Sequence, residues 1–554
     1  MIHHRHPALR WLKRGPTLRV ETLALIVSLW FTLACNPLFW EAIMAGREAA
    51  QTSGLFFGAA LAITVTALHF MILALLANRW TAKPILTLLI IATAFAAYYM
   101  RQYHVYLDPS MLRNVLRTDT REAAELFTWG MLPPLIFYAL PPLLLVWWAQ
   151  IKRTPLLRAA GVRTAALVLA ALSMGGSTLL VFQEFSALMR QKKEIRYLVT
   201  PGNYLYSLGR TLGADATAAG REREPIGTDA APGERWKQRK KPVLIVLVVG
   251  ETARAANWGL SGYSRQTTPE LAKISELINF AKVTACGTNT EVSVPRMFSV
   301  DGRRNYDEDR IRNSESLLHV IKRAGFRVVW LDNQSGCKGT CDGIESWRPS
   351  TTTTPKLCNG DNCLDEALLT GARQIVEGSR ENLVLVMHQL GNHGPAYFKR
   401  YPEAFRKFTP TCDTSDLGRC SREEVVNAYD NALLYTDHVL AQTVDFLKAQ
   451  QATHDTAMIY VSDHGESLGE RGLFLHGVPY SIAPDVQTEV PMVMWFSPGY
   501  ASSFALRTEC VRQRGQQPAT HDNLFHTLLG MLDINTKIRD RQMDLTDACK
   551  SPRQ

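Results

Sequence analysis

The sequence predicts an N-terminal bundle of transmembrane helices followed by a large α/β domain. Long apolar runs fill the first third of the 554 residues, buried-strand patterns alternate with helical patterns after Pro242, and nine of the ten cysteines lie from Cys286 onward. Each part is long enough to bury a core of its own. The averages over the whole chain, 46% hydrophobic residues and a mean hydropathy of -0.07, therefore describe neither part.

Five apolar stretches in the first third approach or exceed the roughly 20 residues that cross a bilayer core. We predict spans at residues 23–43, 54–77, 84–100, 129–149 and 165–182. The third is short and the fourth contains two proline pairs, so we expect both to be tilted or kinked. The first does not resemble a cleaved signal peptide, because no small-residue cleavage site follows it. We assign residues 1–183 to a five-helix transmembrane domain, 184–241 to an interfacial helix and linker, and 242–554 to a soluble domain.

Basic residues indicate the orientation of these spans, because short cytoplasmic loops are enriched in Lys and Arg. They cluster in the N-terminal tail, in the loop after the second span (Arg79 and Lys83) and at residues 152–163. Five spans then place these regions in the cytoplasm and everything after residue 182 outside it. The loop at 101–126 is also basic but must face outward, so we interpret it as amphipathic segments lying on the membrane surface.

Cysteine usage supports the same orientation. Close pairs recur in the distal half: Cys337 with Cys341, Cys358 with Cys363, and Cys412 with Cys420, while Cys510 and Cys549 are far enough along the chain to pair over distance. This density is typical of disulfides in an oxidising compartment. The alternative of a zinc finger at Cys358 and Cys363 is disfavoured, because no matching pair follows at finger-like spacing. We therefore expect a multi-pass protein of the bacterial inner membrane with a cytoplasmic N-terminus and a periplasmic soluble domain.

The net charge of +10 and the pI near 9.1 indicate an anionic partner, either nucleic acid or an acidic lipid surface. The basic run at residues 235–241 lies in the linker and outside the cytoplasm. We therefore expect this run to be solvated or held near anionic lipid head groups, and we expect no nucleic-acid partner.

Four apolar runs of the soluble part have the pattern of strands buried on both faces of a parallel sheet. They are residues 243–249, 326–331, 383–387 and 457–461. Each runs into polar residues at its carboxyl end: Gly250-Glu251, then Asp332-Asn333-Gln334, then His388 followed by His393, and finally Ser462-Asp463-His464. In an open α/β sheet the ligand crevice lies beyond the carboxyl ends of the strands, so these side chains should meet at one edge.

Glu251, Asp463 and His464 supply the oxygen and nitrogen donors that suit Zn²⁺, and a catalytic zinc typically has three protein ligands and one open position. The alternative for each carboxylate is that it caps a following helix. A nucleophile is predicted between Cys286 and Ser299, where hydroxyl residues precede an apparent helix whose N-terminus favours negative charge. On chemistry alone Thr288, Thr290 and Ser293 all remain candidates for the nucleophile. The alternative is that all three hydroxyls only cap the helix.

Many segments of the chain resemble the membrane-bound phosphoethanolamine transferases that modify lipid A, including the mobile colistin-resistance enzymes. The matching motifs include VVGETAR at 248–254, GYSRQTTP at 262–269, CGTNTEVSVP at 286–295, DNQSGCKG at 332–339, HQLGNHGP at 388–395 and SDHGESLGE at 462–470. The resemblance covers essentially the whole chain. It implies an alkaline-phosphatase-like (sulfatase-like) fold for the soluble domain.

The resemblance also implies which residues act. The last Thr of the CGT-x-T motif, here Thr290, would be the nucleophile, and the zinc ligands would be Glu251, Thr290, Asp463 and His464. Five further positions would bind the phosphoethanolamine group or a second metal near His393 and His476: Gln334, Lys338, His388, His393 and His476.

Three of these positions carry proposed roles in the chemistry. His393 and His476 are candidates for general acid or base, and Lys338 is a candidate for charge neutralisation. The loop MLRNVLRTDTREA at 111–123 resembles the family's periplasmic loop near the lipid donor. One departure is Arg296, which stands where many relatives have a second cysteine, so Cys286 is expected to be unpaired.

The implied reaction takes phosphoethanolamine from phosphatidylethanolamine to Thr290 and then to a phosphate of lipid A, which weakens binding of polymyxin and other cationic peptides. Both lipids would be reached by a monomer anchored in the inner membrane. The alternatives are another envelope acceptor such as lipopolysaccharide core sugar, or a phosphatase or sulfatase that passes the group to water. A transporter or sensor would need ionisable residues inside the membrane. His69 is the clear candidate for such a residue, and we expect it to be a neutral histidine packed between helices.

Overall fold

A computed structural model of the protein describes residues 15–45, 52–118, 120–218, 222–360 and 362–551. Most of the basic N-terminal tail that we used to orient the spans lies outside the described residues. The chain forms two compact units. The first is Met1–Leu112 with Thr128–Leu212, and the second is Arg113–Phe127 with Gly213–Gln554.

The first unit is a transmembrane helical region. Among the described residues, four of its helices are long and apolar enough to cross a membrane: Gly54–Leu76, Ala82–Tyr103, Trp129–Trp148 and Leu156–Leu180. The first predicted span is a pair of helices, Val20–Ala34 and Pro37–Met44, that meet at an angle of 57°. Counted as one broken span, this pair brings the total to the five that we predicted. The break has a local cause, because Pro37 cannot continue a helix and the Asn36 amide donates to the carbonyl of Phe31 at 2.8 Å.

The polar features of this unit are also accounted for. His69 is buried, with its Nδ1 3.2 Å from the Thr32 hydroxyl, so it packs against a neighbouring helix as we favoured. Pro141 and Pro142 lie inside a helix that runs without interruption over Leu132–Trp148. The residues that we assigned to an interfacial helix and linker contain helix Phe182–Gln191, a 3-10 segment Lys193–Leu198 and helix Gly202–Ala218, so helical structure continues to Ala218.

The second unit is built on an eight-stranded sheet. The strands in chain order are β1 Val243–Gly250, β2 Ile278–Thr284, β3 Arg327–Asp332, β4 Glu345–Trp347, β5 Leu383–His388, β6 Asp455–Ser462, β7 Glu489–Phe496 and β8 Ala519–Thr520. Their order across the sheet is β8-β2-β7-β6-β1-β5-β3-β4. Strands β6, β1, β5, β3 and β4 are parallel, as predicted for a sheet of this kind, whereas β7 runs antiparallel to both β6 and β2.

Helices cover both faces of this sheet. The described helices of the second unit after residue 286 are Thr290–Met297, Glu308–Asn313, Leu317–Arg323, Glu366–Val376, Arg422–Ala449, Asp485–Thr488, Pro498–Ser503, Thr508–Arg514 and Asp522–Met531. Alternate side chains of β1 pack into two separate cores, Ile245 and Leu247 in one and Leu244 and Val246 in the other. This arrangement explains why β1 is an uninterrupted apolar run rather than an alternating one.

Four disulfides stabilise the second unit: Cys337–Cys341, Cys358–Cys363, Cys412–Cys420 and Cys510–Cys549. They include the three close pairs and the distant pair that the sequence indicated. Cys286 is buried and unpaired. The Arg296 guanidinium donates to the carbonyl of Cys286 at 2.6 Å. A hydrogen bond, and not a disulfide, therefore joins positions 286 and 296 in this protein.

The Cys510–Cys549 disulfide should stabilise the second unit more than the Cys358–Cys363 disulfide. The cysteines of these two disulfides are 39 and 5 residues apart in sequence. The loop-entropy relation therefore gives a stabilisation of about 4 kcal/mol for the first disulfide and about 2 kcal/mol for the second. We expect Cys510→Ser/Cys549→Ser to lower the thermal unfolding midpoint of the detergent-solubilised full chain more than Cys358→Ser/Cys363→Ser. Equal midpoints for the two double variants would contradict this ranking.

Candidate metal centre and nucleophile

The centre of the site is formed where two neighbouring parallel strands end. Gly250 of β1 pairs in register with Ser462 of β6, and the amide of Asp463 donates to the carbonyl of Gly250 at 2.9 Å. Glu251 and Asp463 therefore leave the sheet at the same level and on adjacent strands. His464 follows directly, so three metal-binding side chain types converge at one point of the carboxyl edge.

These three side chains are close together and fully buried. One ligand atom each from Glu251, Asp463 and His464 lies within 4.8 Å of the other two. The His464 Nε2 atom is 3.3 Å from Glu251 Oε1 and 3.3 Å from Asp463 Oδ2. The Asp463 Oδ2 atom is buried and makes no hydrogen bond among the described residues. A buried carboxylate oxygen without a donor, beside a second carboxylate, fits a divalent cation bound between them.

Thr290 points its hydroxyl at this group. It is the first residue of helix Thr290–Met297, whose N-cap residue Asn289 accepts a hydrogen bond from the amide of Val292 at 3.0 Å. The Thr290 Oγ1 atom lies 3.1 and 3.2 Å from the two carboxylate oxygens of Glu251 and 3.5 Å from His464 Nε2. The hydroxyl of Thr288 instead donates to the carbonyl of Val478 at 2.8 Å. The geometry therefore distinguishes two hydroxyls that the sequence left open.

The electrostatics of the three ligands reflect their mutual burial. Burial raises the pKa of Asp463, and repulsion from the Glu251 charge raises it further. Burial on its own would lower the pKa of His464, but the negative charges of Asp463 and Glu251 outweigh it, so this pKa is raised. The hydrogen bond and charge of His464 likewise outweigh burial and lower the pKa of Glu251. Without a metal ion, the site therefore retains a proton on His464 at neutral pH.

Two further histidines stand next to the ligand group. The ring centroids of His476 and His464 are 4.3 Å apart, and those of His476 and His393 are 5.7 Å apart. Burial and the neighbouring charges of His464 and His393 hold the pKa of His476 well below its usual value. The Nδ1 atom of His476 is 3.2 Å from the buried carboxylate of Glu466, whose pKa is raised by burial to about 8. The Glu466 contact fixes the ring of His476.

The other predicted residues lie at different distances from the centre. The Gln334 amide donates to Glu251 Oε2 at 3.0 Å, so it contacts the ligand group directly. Lys338 Nζ donates at 2.6 Å to the hydroxyl of Ser335, the residue that follows Gln334. His388 is fully buried and its Nδ1 is 2.9 Å from Asp332 Oδ1, which places it in the sheet rather than in an open crevice.

Three acidic residues near the site were absent from the sequence-based list. Glu466 follows His464 by two residues, so its position in the same motif could have indicated it. Glu122 lies with its Oε1 3.9 Å from His393 Nε2, and Glu291 follows Thr290 directly. Glu122 belongs to the segment Arg113–Phe127, which precedes the fourth span in sequence and forms part of the second unit. Local patterns do not reveal such a long-range contact.

Comparison with known proteins agrees with this arrangement. Residues 65–216 match the family described as phosphoethanolamine transferase EptA/EptB, and residues 244–534 match the sulfatase family. The phosphoethanolamine transferase EptA of Escherichia coli K12 is 34% identical, with 98% of this chain and 99% of that protein aligned. The phosphatidylethanolamine transferase Mcr-1 of Escherichia coli is 35% identical over 96% of this chain and 98% of its own length.

A solved structure extends the match to three dimensions. The integral membrane lipooligosaccharide phosphoethanolamine transferase A (EptA) of Neisseria meningitidis superimposes with a TM-score of 0.91 at 34% sequence identity. The alignment covers 97% of this chain and 100% of that structure. The soluble unit thus has the sulfatase, or alkaline-phosphatase, fold, and the other unit is a transmembrane helical region. With at least 96% of its length aligned to each of these proteins, the chain belongs to the EptA and Mcr family of phosphoethanolamine transferases.

Proposed function

We propose that this protein transfers phosphoethanolamine from phosphatidylethanolamine to phosphate groups of lipid A through a covalent intermediate on Thr290, at a zinc centre in the bacterial periplasm. The observation that carries the proposal is the position of Thr290, which is the first residue of its helix. Its hydroxyl lies 3.1 Å from Glu251, one of three fully buried side chains of metal-binding types. The names of relatives support the substrates, since one is a phosphatidylethanolamine transferase and another acts on lipooligosaccharide.

The donor atoms suit zinc. Two carboxylates, one imidazole and the Thr290 oxygen would supply the four nitrogen and oxygen ligands that zinc prefers. Bound zinc would lower the pKa of the Thr290 hydroxyl and stabilise negative charge on the phosphoryl oxygens. The disulfides of the second unit support an oxidising compartment, and therefore a periplasmic location for this site.

The first step forms a bond between the Thr290 oxygen and the phosphorus of the donor while the bond to the diacylglycerol oxygen breaks. Glu251 accepts the hydrogen bond of the Thr290 hydroxyl and so orients its oxygen. The imidazoles of His393 and His476 are the groups that can move the proton between Thr290 and the leaving diacylglycerol oxygen. In the second step a phosphate oxygen of lipid A attacks the same phosphorus, the bond to the Thr290 oxygen breaks, and the Thr290 oxygen takes up a proton released by the attacking phosphate or by water through the same imidazoles.

Other charged side chains suit the two ends of the transferred group. The ethanolamine end is a cation, and the Glu122 carboxylate beside His393 supplies an anion for it. The phosphoryl end is anionic, and Lys338, whose Nζ donates to the Ser335 hydroxyl, supplies a cation for it. Gln334 holds the second oxygen of Glu251. Because both substrates are lipids, attachment to the transmembrane region raises the effective concentration at which the site meets them.

Replacing Thr290 should abolish the covalent intermediate. We expect Thr290→Ala to reduce transfer by more than about a thousandfold, since no other hydroxyl among the described residues donates a hydrogen bond to Glu251. The measurement is intact-protein mass spectrometry for a phosphoethanolamine adduct, together with mass spectrometry of lipid A from cells that express each variant. Thr443→Ala is the matched control, because the hydroxyl of this buried threonine donates to the carbonyl of Val439 within its own helix and has no other hydrogen-bond partner among the described residues.

An adduct that persists on Thr290→Ala would remove the proposed nucleophile. An adduct on the wild-type protein without any added mass on lipid A would retain the nucleophile and reject the acceptor. Expression should also reduce polymyxin binding to cells, because each added ethanolamine places a cation on an anionic lipid phosphate.

Zinc binding should weaken as the pH falls. The raised pKa of His464 means that the metal-free site holds a proton that zinc must displace, so protonation at lower pH competes with the metal. We expect the affinity to fall by about tenfold per pH unit for each proton displaced, over the range from pH 8 to pH 6. Competition with a chelator measures the affinity, and calorimetry in buffers of different ionisation enthalpy counts the protons. An affinity that stays constant over this range would contradict the argument.

A further inference from the structure

Glu291, the residue after the nucleophile, is a fully buried carboxylate held by two arginines. Its Oε1 lies 2.8 Å from Arg117 Nη1 and 3.1 Å from Arg312 Nη2. Arg312 Nη2 also donates to the main-chain carbonyl of Glu291 at 3.2 Å. A buried carboxylate is stable only when it is paired, so the position of Glu291 depends on these two cations. Because Glu291 is in the first turn of the helix that starts with Thr290, its position also sets that of the nucleophile.

The two arginines belong to a larger set of charges that we call the Glu291 network. It consists of Arg113, Arg117, Arg312, Asp215, Glu291 and Glu308. Arg117 lies 3.5 Å from Asp215 and Arg113 lies 3.6 Å from it, Arg312 contacts Glu308 at 3.1 Å, and Arg113 also contacts Glu308. Three cations balance three carboxylates, so the network has no excess charge with which to bind a ligand. Its effect is on geometry.

The network draws residues from four parts of the chain into the second unit. Arg113 and Arg117 come from the segment Arg113–Phe127, and Asp215 precedes the linker. Glu291 lies on the nucleophile helix, and Glu308 and Arg312 lie on the helix Glu308–Asn313. The contact between Arg117 and Glu291 joins residues that are 174 positions apart.

The segment Arg113–Phe127 also contacts His393 and residues close to it in sequence. Glu122 is 3.9 Å from His393, and Glu125 forms an ion pair with Arg400 and lies 3.4 Å from Lys399. Its anchor at the nucleophile helix and its anchor at the His393 loop are thus five residues apart in the chain. Residues close together in sequence therefore contact both the helix that carries Thr290 and the imidazole that faces Glu122.

We infer that Arg117, together with Arg312, is a positioning residue that aligns Thr290 through Glu291. The inference rests on the proposed role of Thr290 as nucleophile. Arg117 touches neither the predicted metal ligands nor Thr290 in the described contacts, so its loss should slow the covalent step without changing zinc content or donor binding. A displacement of about 1 Å at a reacting atom costs on the order of a hundredfold in rate.

The test measures formation of the Thr290 adduct with full-length protein in proteoliposomes that contain phosphatidylethanolamine. We expect Arg117→Gln to slow the adduct by roughly tenfold to a hundredfold, with zinc content unchanged and the donor concentration for half-maximal rate within about twofold. Arg117→Lys keeps the charge and should recover part of the rate. Arg327→Gln is the matched control, because Arg327 is similarly exposed and pairs with Glu345 at 2.8 Å, at the start of β3 and so at the other end of this strand from Gln334.

A set of combined variants separates positioning from general damage to the fold. Arg117→Gln/Arg312→Gln leaves the buried Glu291 without a cation and should slow the adduct by more than the product of the two single effects. Adding Glu291→Gln to this pair removes the unpaired charge and should restore part of the rate. Simple multiplication of the single effects, or a loss that follows zinc content, would overturn the inference.

A readout that needs no activity keeps this inference distinct from the proposed function. We expect the amides of Thr290–Met297 to exchange hydrogen faster in Arg117→Gln than in the wild type, and Arg117→Lys to restore protection. Unchanged exchange in Arg117→Gln would overturn the inference even if transfer proceeds. Absence of an adduct on the wild-type protein, with faster exchange in Arg117→Gln, would instead reject the proposed function alone.

Discussion

The burial of two like charges side by side is the constraint on which the rest of the site depends. Glu251 and Asp463 leave adjacent strands at the same level, so their carboxylates cannot separate without breaking the register of β1 and β6. The surroundings compensate with donors: the amides of Thr252 and His464 for Asp463, at 3.2 and 2.7 Å, and the hydroxyl of Thr290 for Glu251. They leave Asp463 Oδ2 without a donor among the described residues, which is the deficit that a cation would fill.

Much of this framework could be predicted from the sequence, because each part depends on neighbouring residues. An uninterrupted apolar run predicts a strand buried on both faces, and a parallel sheet brings the ends of such strands together. Glu251, Asp463 and His464 could be selected on that reasoning before any resemblance was considered. The same reasoning could not give the direction of β7, because an apolar run has the same pattern in a parallel or an antiparallel strand.

The remaining features depend on contacts between distant residues, which local patterns do not contain. Residues 101–126 are basic and amphipathic, and such a pattern indicates a membrane surface. Two helices, Pro109–Arg117 and Thr120–Glu125, do form there, and the charges of Arg117, Glu122 and Glu125 pair with residues elsewhere in the second unit. The choice among Thr288, Thr290 and Ser293 was open for the same reason, since chemistry alone does not tell where a hydroxyl points.

The proposed two-step transfer would place an unusual demand on its nucleophile. In that proposal the Thr290 oxygen attacks the phosphorus in the first step and leaves it in the second, so an error in its position would slow both steps. Glu251 constrains the oxygen itself, whereas Glu291 constrains the main chain to which that oxygen is attached. These two constraints are independent, because one comes from the sheet edge and the other from Arg117 and Arg312. Preorganisation of this kind costs nothing at the moment of reaction, which is why it is preferable to a flexible hydroxyl that the substrate must order.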